Sequence, residues 1–315
     1  MRALVTGAAG FIGSHLAGRL LAEGHTVVGL DDLSEGTTTN LDRAAGVRFV
    51  HADLRDVAAV RSAAIGCDVI FHQGAKRSVP RSILEPELFT DVNVRGTVHV
   101  LLAARDVGAR VVSASSSSVY GDQQRFPLAE SMPPLPRSPY AASKLAGEAY
   151  CRAFTLSMDV PTVSLRYFNV YGPGQDPASE YAAVVPRFSL ACLTGSRPVV
   201  HGDGTQARDF TYIDDVIDAN LLAARADDDA QGRAFNIGGG AEPTTVNDVL
   251  RLIADLTGVS PDPIHEPPRD GDVRRTEADL SLARELLGYA PAVGMSQGLA
   301  RTVEHVRAML ERAGG

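Results

Sequence analysis

Three groups of residues have the types and spacings that chemistry requires. Gly7-Ala8-Ala9-Gly10-Phe11-Ile12-Gly13 is a glycine-rich run, in which missing side chains permit a tight turn and bring backbone N–H groups close to an anion. Tyr140 and Lys144 stand four residues apart, so on a helix they share one face. An ammonium near a phenol stabilises phenolate, which lets tyrosine take and return a proton near neutral pH. The bare spacing is equally that of an ordinary amphipathic surface pair. Third, the serine run Ser115–Ser118 leads into Val119-Tyr120-Gly121, and a hydroxyl there can hydrogen-bond a reacting oxygen.

These groups need elements to hold them. Residues 2–6 read as a short buried strand, and SHLAGRLLAEG carries helical periodicity that stops at Gly24. The glycine run therefore joins a strand to a helix, the context of a dinucleotide site. Gly7 serves the turn, Gly10 the approach of a pyrophosphate, and Gly13 the packing of helix on sheet. The next strand, HTVVGLDD, delivers Asp31, 18 residues past Gly13. A carboxylate there receives the adenosine ribose hydroxyls and repels a 2′-phosphate, which favours NAD over NADP. Asp32 is the alternative for that role. Asp53 ends the following strand, where it either meets the adenine amine or is a solvated loop aspartate.

The alternation continues with the strand CDVIFHQGA, a helical segment from about Glu87 to Val107 and the strand ending in the serine run. A helix over about 139–157 carries Tyr140 and Lys144, and PTVSLRYFN is the next strand. This pattern predicts an α/β fold, a Rossmann-type parallel sheet with helices on both faces and functional groups at the strand C-termini. Residues 172–212 are rich in Gly, Pro and Asp. Beyond them helices are expected at about 214–226, 245–257, 279–287 and 296–313, with a late strand at AFNIGG. The expected organisation is a cofactor domain over 1–168 and a smaller, partly discontinuous C-terminal substrate domain over 169–315, with segments returning to the first.

A chain of 315 residues with 44 % hydrophobic content can build a substantial core, which excludes a disordered or collagen-like class. A net charge of -8 disfavours nucleic-acid or anionic-membrane binding but permits a local basic pocket. Cys67, Cys151 and Cys192 are far apart and read as buried thiols in a reducing compartment. No apolar run approaches membrane-spanning length. A soluble cytoplasmic protein is expected. No HxxxH or compact His/Cys/carboxylate set suggests a metal.

Taken together, GAAGFIG, the acidic residue after the second strand, SSSSVYG, YAASK, LRYFNVYGPGQDP, GDGTQARDFTYIDDV, FNIGGG and GDVRRTEAD carry a resemblance over nearly the whole chain. The sequence resembles the extended short-chain dehydrogenase/reductases of the nucleotide-sugar epimerase/dehydratase group, most closely the UDP-sugar 4-epimerases. The resemblance implies a catalytic trio of Ser116, Tyr140 and Lys144, the serine being the hydroxyl three residues before the valine of VYG. It implies NAD contacts from Phe11, Ile12, Leu54, Gln73, Ala75 and Asn93 beside Gly7, Gly10, Gly13, Asp31, Asp53, Tyr140 and Lys144. For the substrate it implies Arg208 and Arg269 on the pyrophosphate, with Asp272 orienting an arginine or a ribose hydroxyl. Val185, Val199 and His201 would surround the uracil, and Asn169 would meet the diphosphate or sugar. Arg77, Ser116, Ser117, Tyr140 and a small gate residue, Thr276, complete the set.

The implied reaction begins when Tyr140, as phenolate stabilised by Lys144, takes the proton of the sugar C4 hydroxyl, with Ser116 holding the C4 oxygen and sharing in the proton relay, and the C4 hydride passes to NAD. The 4-keto sugar then turns in the pocket and receives the hydride on its other face. Dehydratase relatives place an Asp-Glu pair directly after the catalytic hydroxyl. Ser117 and Ser118 stand there instead, so elimination lacks its acid and base. Among substrates, UDP-GlcNAc/UDP-GalNAc and UDP-Glc/UDP-Gal rank above UDP-GlcA/UDP-GalA, because Asp176 stands where uronate epimerases carry arginine. Lys76, Arg77 or Arg187 is the replacement cation if a uronate binds. A dehydratase or reductase is the enzymatic alternative, and a non-catalytic dinucleotide sensor the binding alternative. Relatives commonly dimerise through two helices, which implies a homodimer through the segments near 87–107 and 139–157.

Overall fold

The structure, a computed structural model, describes residues 1–177, 183–268 and 273–314. Its centre is a sheet of seven strands: β1 (Arg2–Thr6), β2 (Thr26–Asp31), β3 (Arg48–His51), β4 (Val69–His72), β5 (Arg110–Ser116), β6 (Thr162–Tyr167) and β7 (Arg233–Ile237). The order is β7-β6-β5-β4-β1-β2-β3, and every pairing is parallel. Alternate residues sort to opposite faces. Ala3, Val5, Phe71 and Val112 join one core cluster, while Leu4, Ile70 and Val111 join the other. Both β4 and β6 are buried at every position; β4 is apolar up to His72, while β6 alternates apolar residues with the buried polar Thr162, Ser164 and Arg166.

Helices α1 (Phe11–Ala22) and α6 (Ile213–Arg225) pack together on one face. Helices α2 (Val57–Ala64), α3 (Gly96–Val107) and α4 (Pro139–Met158) cover the other. The segment expected as one helix from about 87 to 107 is a continuous helical run with an inserted π turn over Thr90–Arg95. Ser138 caps α4 by accepting from Ala141 N at 3.1 Å, and Pro139 opens it. Tyr140 thus lies in the first turn of α4, beside the end of β5.

Strand order reverses between β1 and β4, which opens a crevice over the strand C-termini. The C-terminal part adds α5 (Val184–Thr194), α7 (Val246–Thr257), α8 (Ser281–Leu287) and α9 (Met295–Gly314), with α5 packed on α7 and α9. Helix α5 falls inside the Gly-, Pro- and Asp-rich stretch 172–212, where no helix is expected because its Pro186 and the flanking glycines and prolines mask its apolar spacing. Short strand pairs tie this part together: Val199–His201 runs with Ile264–Glu266, and Ala207–Arg208 with Thr244–Thr245. Among the described residues no helix is long and apolar enough to cross a membrane.

Candidate active site

At the end of β1 the backbone enters the left-handed region at Gly7, with φ +68°. A Cβ at Gly13 would lie 2.0 Å from Gly7 O, so only glycine lets α1 settle this close to the turn. Gly10 caps α1 without a side-chain acceptor, which leaves the first helical turn open to an external anion. Asp31 ends β2. Its two oxygens accept from Ala9 N at 3.0 Å and Leu33 N at 2.8 Å. Burial raises its pKa, and those two N–H donors oppose the rise. Phe11, Ile12, Asp31, Asp53, Leu54, Gln73 and Ala75 line the crevice with Gly7, Gly10 and Gly13. A side-chain-free floor, an open helix start and a fixed carboxylate fit a dinucleotide. Replacing Asp31 by serine is expected to shrink the preference for NAD over NADP by about 10- to 100-fold. Kd values of both cofactors on apoprotein test this, and an unchanged ratio would remove Asp31 from cofactor selection.

Several residues take places that spacing did not disclose. Asp53 reaches the crevice, but Arg55 chelates its carboxylate, with Nη2 at 2.6 Å, and this ion pair holds its pKa down. Asn93 stands behind the cleft. Its carbonyl accepts from Lys76 N at 2.7 Å, and its amide donates to Lys76 O and Ser143 Oγ, both at 2.9 Å. Its side chain thus holds the Lys76 backbone and ties it to Ser143 on α4. Lys76, absent from the cofactor set expected from sequence, lines the crevice with a buried side chain that donates to Ser34 Oγ at 2.5 Å. Its nearest sequence signal is a lone lysine after the β4 turn. Arg77, expected at the substrate, lines the cofactor crevice and pairs with Glu35 at 3.4 Å. His72 packs between Thr6 Oγ1 and Thr97 Oγ1, at 2.8 and 2.9 Å, and burial pushes its pKa down to about 3. It is therefore a neutral core histidine.

The serine run, Tyr140 and Lys144 converge where β5 meets α4. Burial pushes the Tyr140 phenol up, while hydrogen bonding to Ser116 and the charge of Arg77 favour phenolate. The ring packs edge-on to Phe89, with centroids 6.3 Å apart. Lys144 Nζ donates to Ala114 O at 3.0 Å, fixing the side chain along the end of β5. Burial lowers its pKa to about 8 against the opposing charge of Glu148. Ser116 Oγ accepts from Ser118 N at 3.2 Å and from Ser118 Oγ at 2.9 Å.

A buried polar chain backs this group. Ser115 donates to Glu148, whose carboxylate receives Arg166 Nε at 2.9 Å and Nη2 at 2.7 Å. Arg166 Nη1 donates to Tyr120 Oη at 2.8 Å, and that hydroxyl donates to Asn236 Oδ1 at 2.7 Å. The chain links β5, α4, β6 and β7 beneath the site.

A second cleft, of about 270 Å³, opens beside the first and is lined by Asn169, Val185, Val199, His201 and Arg208, together with Arg187, Phe188 and Phe210. Five residues expected at the substrate are thus gathered from separate segments. Thr276 is buried under this cleft. Its hydroxyl accepts from Asp209 N at 3.2 Å and donates to Asn169 Oδ1 at 3.3 Å, so it steadies Asn169. Ser117 opens the turn that follows β5. Arg269 and Asp272 lie outside the described residues. Asp176 is exposed to solvent. Among the described residues no three His, Cys, Asp or Glu side chains gather as metal ligands.

A Rossmann sheet with a glycine turn, a buried carboxylate at the end of β2 and a Ser/Tyr/Lys group at the end of β5 defines an extended short-chain dehydrogenase/reductase. The family profile described as the NAD dependent epimerase/dehydratase family matches residues 3–238, and the chain belongs to that family, with NAD as its cofactor. It is 45 % identical over 313 residues to the UDP-glucose 4-epimerase of Mycolicibacterium smegmatis, covering 98 % of this chain and 99 % of the relative. Among solved structures, the UDP-glucose 4-epimerase of Thermotoga maritima with UDP-glucose superposes with a TM-score of 0.93 at 37 % identity, covering 98 % of this chain and all of that one. The UDP-glucuronic acid 4-epimerase of Bacillus cereus, with UDP-glucuronic acid and NAD, gives 0.91 at 32 % identity, with 98 % and 100 % covered.

Proposed function

We propose that this chain is a UDP-sugar 4-epimerase acting on UDP-Glc/UDP-Gal, UDP-GlcNAc/UDP-GalNAc or both. The observation that carries the reading is the convergence of Tyr140, Lys144 and Ser116 at the crevice, with Ser117 and Ser118 where elimination would need carboxylates. Tyr140 accepts the proton of the C4 hydroxyl and later returns it. Lys144, held by Ala114 O, contributes the positive charge that favours phenolate and reaches toward the nicotinamide ribose. Ser116 holds the C4 oxygen. NAD, when bound, takes up the C4 hydrogen with its electron pair and gives it back. Gly7, Gly10, Gly13 and the open start of α1 hold the pyrophosphate, Asp31 the adenosine ribose, and Lys76 adds a cation to the same crevice.

The second cleft suits the nucleotide end. Val185, Val199 and Phe188 supply apolar walls for a base, while Arg187 and Arg208 supply cations for a diphosphate. Residues 1–168 would thus carry the cofactor and 169–315 the sugar nucleotide, with α6 and β7 returning to the sheet. Tyr150, Leu156 and Met158 are exposed along α4, which supports a homodimer through that helix and its neighbour. The second reading, UDP-GlcA as substrate, draws on Arg187 at the cleft and on the relative from Bacillus cereus.

The test is separate incubation of the enzyme with UDP-Glc, UDP-GlcNAc and UDP-GlcA, with sugars resolved by NMR. C4 inversion without accumulation of NADH or a keto product is expected, fastest on one of the first two. A dominant rate on UDP-GlcA would reverse the ranking, and net NADH or a deoxy-keto sugar would overturn the epimerase.

A further inference from the structure

The geometry points to Ser118 as a positioning residue that holds the Ser116 hydroxyl as a fixed donor toward Tyr140 and the sugar C4 oxygen. This rests on the roles proposed above for Ser116 and Tyr140. A serine oxygen has two lone pairs and one proton. At Ser116 both lone pairs are committed, one to Ser118 N at 3.2 Å and one to Ser118 Oγ at 2.9 Å. Only the Ser116 proton remains to be directed, and hydrogen bonding between Ser116 and Tyr140 favours phenolate.

The arrangement is rigid. Ser117–Tyr120 form a single 3₁₀ turn capped by Ser116, and both Val119 and Tyr120 are fully buried. Gly121 closes the turn at φ +63°, where a Cβ would meet Leu135 O at 1.9 Å. The Ser118 backbone is therefore anchored on both sides. A donor fixed before the substrate arrives costs no reorientation when charge develops on the C4 oxygen.

One mechanistic consequence concerns the proton path. A relay through Ser116 would need a free lone pair to accept the incoming proton, and Ser118 occupies both. Ser116 therefore keeps its own proton, and the C4 hydroxyl proton moves directly to the Tyr140 oxygen. Dehydratase relatives place a carboxylate at position 118, which when ionised only accepts. The hydroxyl here does the opposite and donates.

The environment of Tyr140 defines what the experiment must separate. Arg77 favours phenolate and Glu35 opposes it, both from the loops over the crevice. Lys144 lies one turn along α4, with Glu148 a turn further, and Phe89 presents an uncharged edge. Ser118→Ala changes none of these groups. It releases the Ser116 oxygen to accept from the phenol, which stabilises the protonated form and moves the acid limb of the kcat profile to higher pH.

The experiment compares Ser118→Ala, Ser118→Thr and Ser116→Ala as NAD-loaded enzymes. Ser118→Ala is expected to keep KM and thermal stability, lower kcat about tenfold and shift the acid limb upward. Ser118→Thr restores both, because it retains the hydroxyl. A double variant carrying both Ser116→Ala and Ser118→Ala is expected to match Ser116→Ala. An unmoved acid limb in Ser118→Ala, or equal impairment in Ala and Thr, would overturn the inference. If Ser116→Ala itself were fully active, the proposed role of Ser116 would fall instead.

Discussion

Tyr140→Phe is expected to lower kcat for epimerisation by about 10²- to 10⁴-fold, the range general acid–base groups supply. The substitution removes one oxygen and leaves the ring against Phe89, 6.3 Å between centroids, so folding and packing are retained. NAD is expected to stay bound, since the glycine turn, Asp31 and Lys76 hold it independently of the phenol. Single-turnover rates and NAD released on denaturation separate the two effects. Near-normal turnover would remove Tyr140 from proton transfer.

Glu148→Gln is expected to lose about 3–5 kcal/mol of folding stability, measured by chemical denaturation at saturating NAD. Glu148 and Arg166 pair at 2.7 Å, with side-chain exposures of 9 % and 7 %. Glutamine preserves the shape but leaves the guanidinium without its bidentate carboxylate partner, still stacked 4.8 Å from the Tyr120 ring centroid. Pairing Glu148→Gln with Arg166→Met is expected to recover much of the loss, because the orphaned charge goes with the arginine. A loss below about 1 kcal/mol in the single variant would place the pair among exposed, weakly contributing ones.

What could be read from the chain depended on how local each signal was. The glycine run, Asp31 and the Tyr140–Lys144 pair were legible because each depends on residues adjacent along one strand or helix. The parallel sheet followed from continuous apolar strands alternating with helices. Roles set by distant partners were not legible. Asn93 looks like a cleft residue in sequence, yet the π turn directs its amide to Lys76 and Ser143. Arg77 sits on the cofactor side because Glu35, 42 residues earlier, draws it there. Thr276 is a small gate by type, but its hydroxyl is taken up by Asp209 and Asn169 from other segments. Helix α5 was hidden by its proline, and the cleft it lines is closed by strand pairs of two or three residues, too short to leave a pattern.

The seventh strand sets a timetable for synthesis. β6 ends at Tyr167, but its neighbour β7 is complete only at Ile237, 70 residues later. During translation the backbone edge of β6 stays open until that strand emerges, an interval of about 4–14 s at ordinary elongation rates. A strand with an unpaired edge is the kind of surface that recruits other nascent chains. A chain cut anywhere between the two strands would keep that edge unpaired.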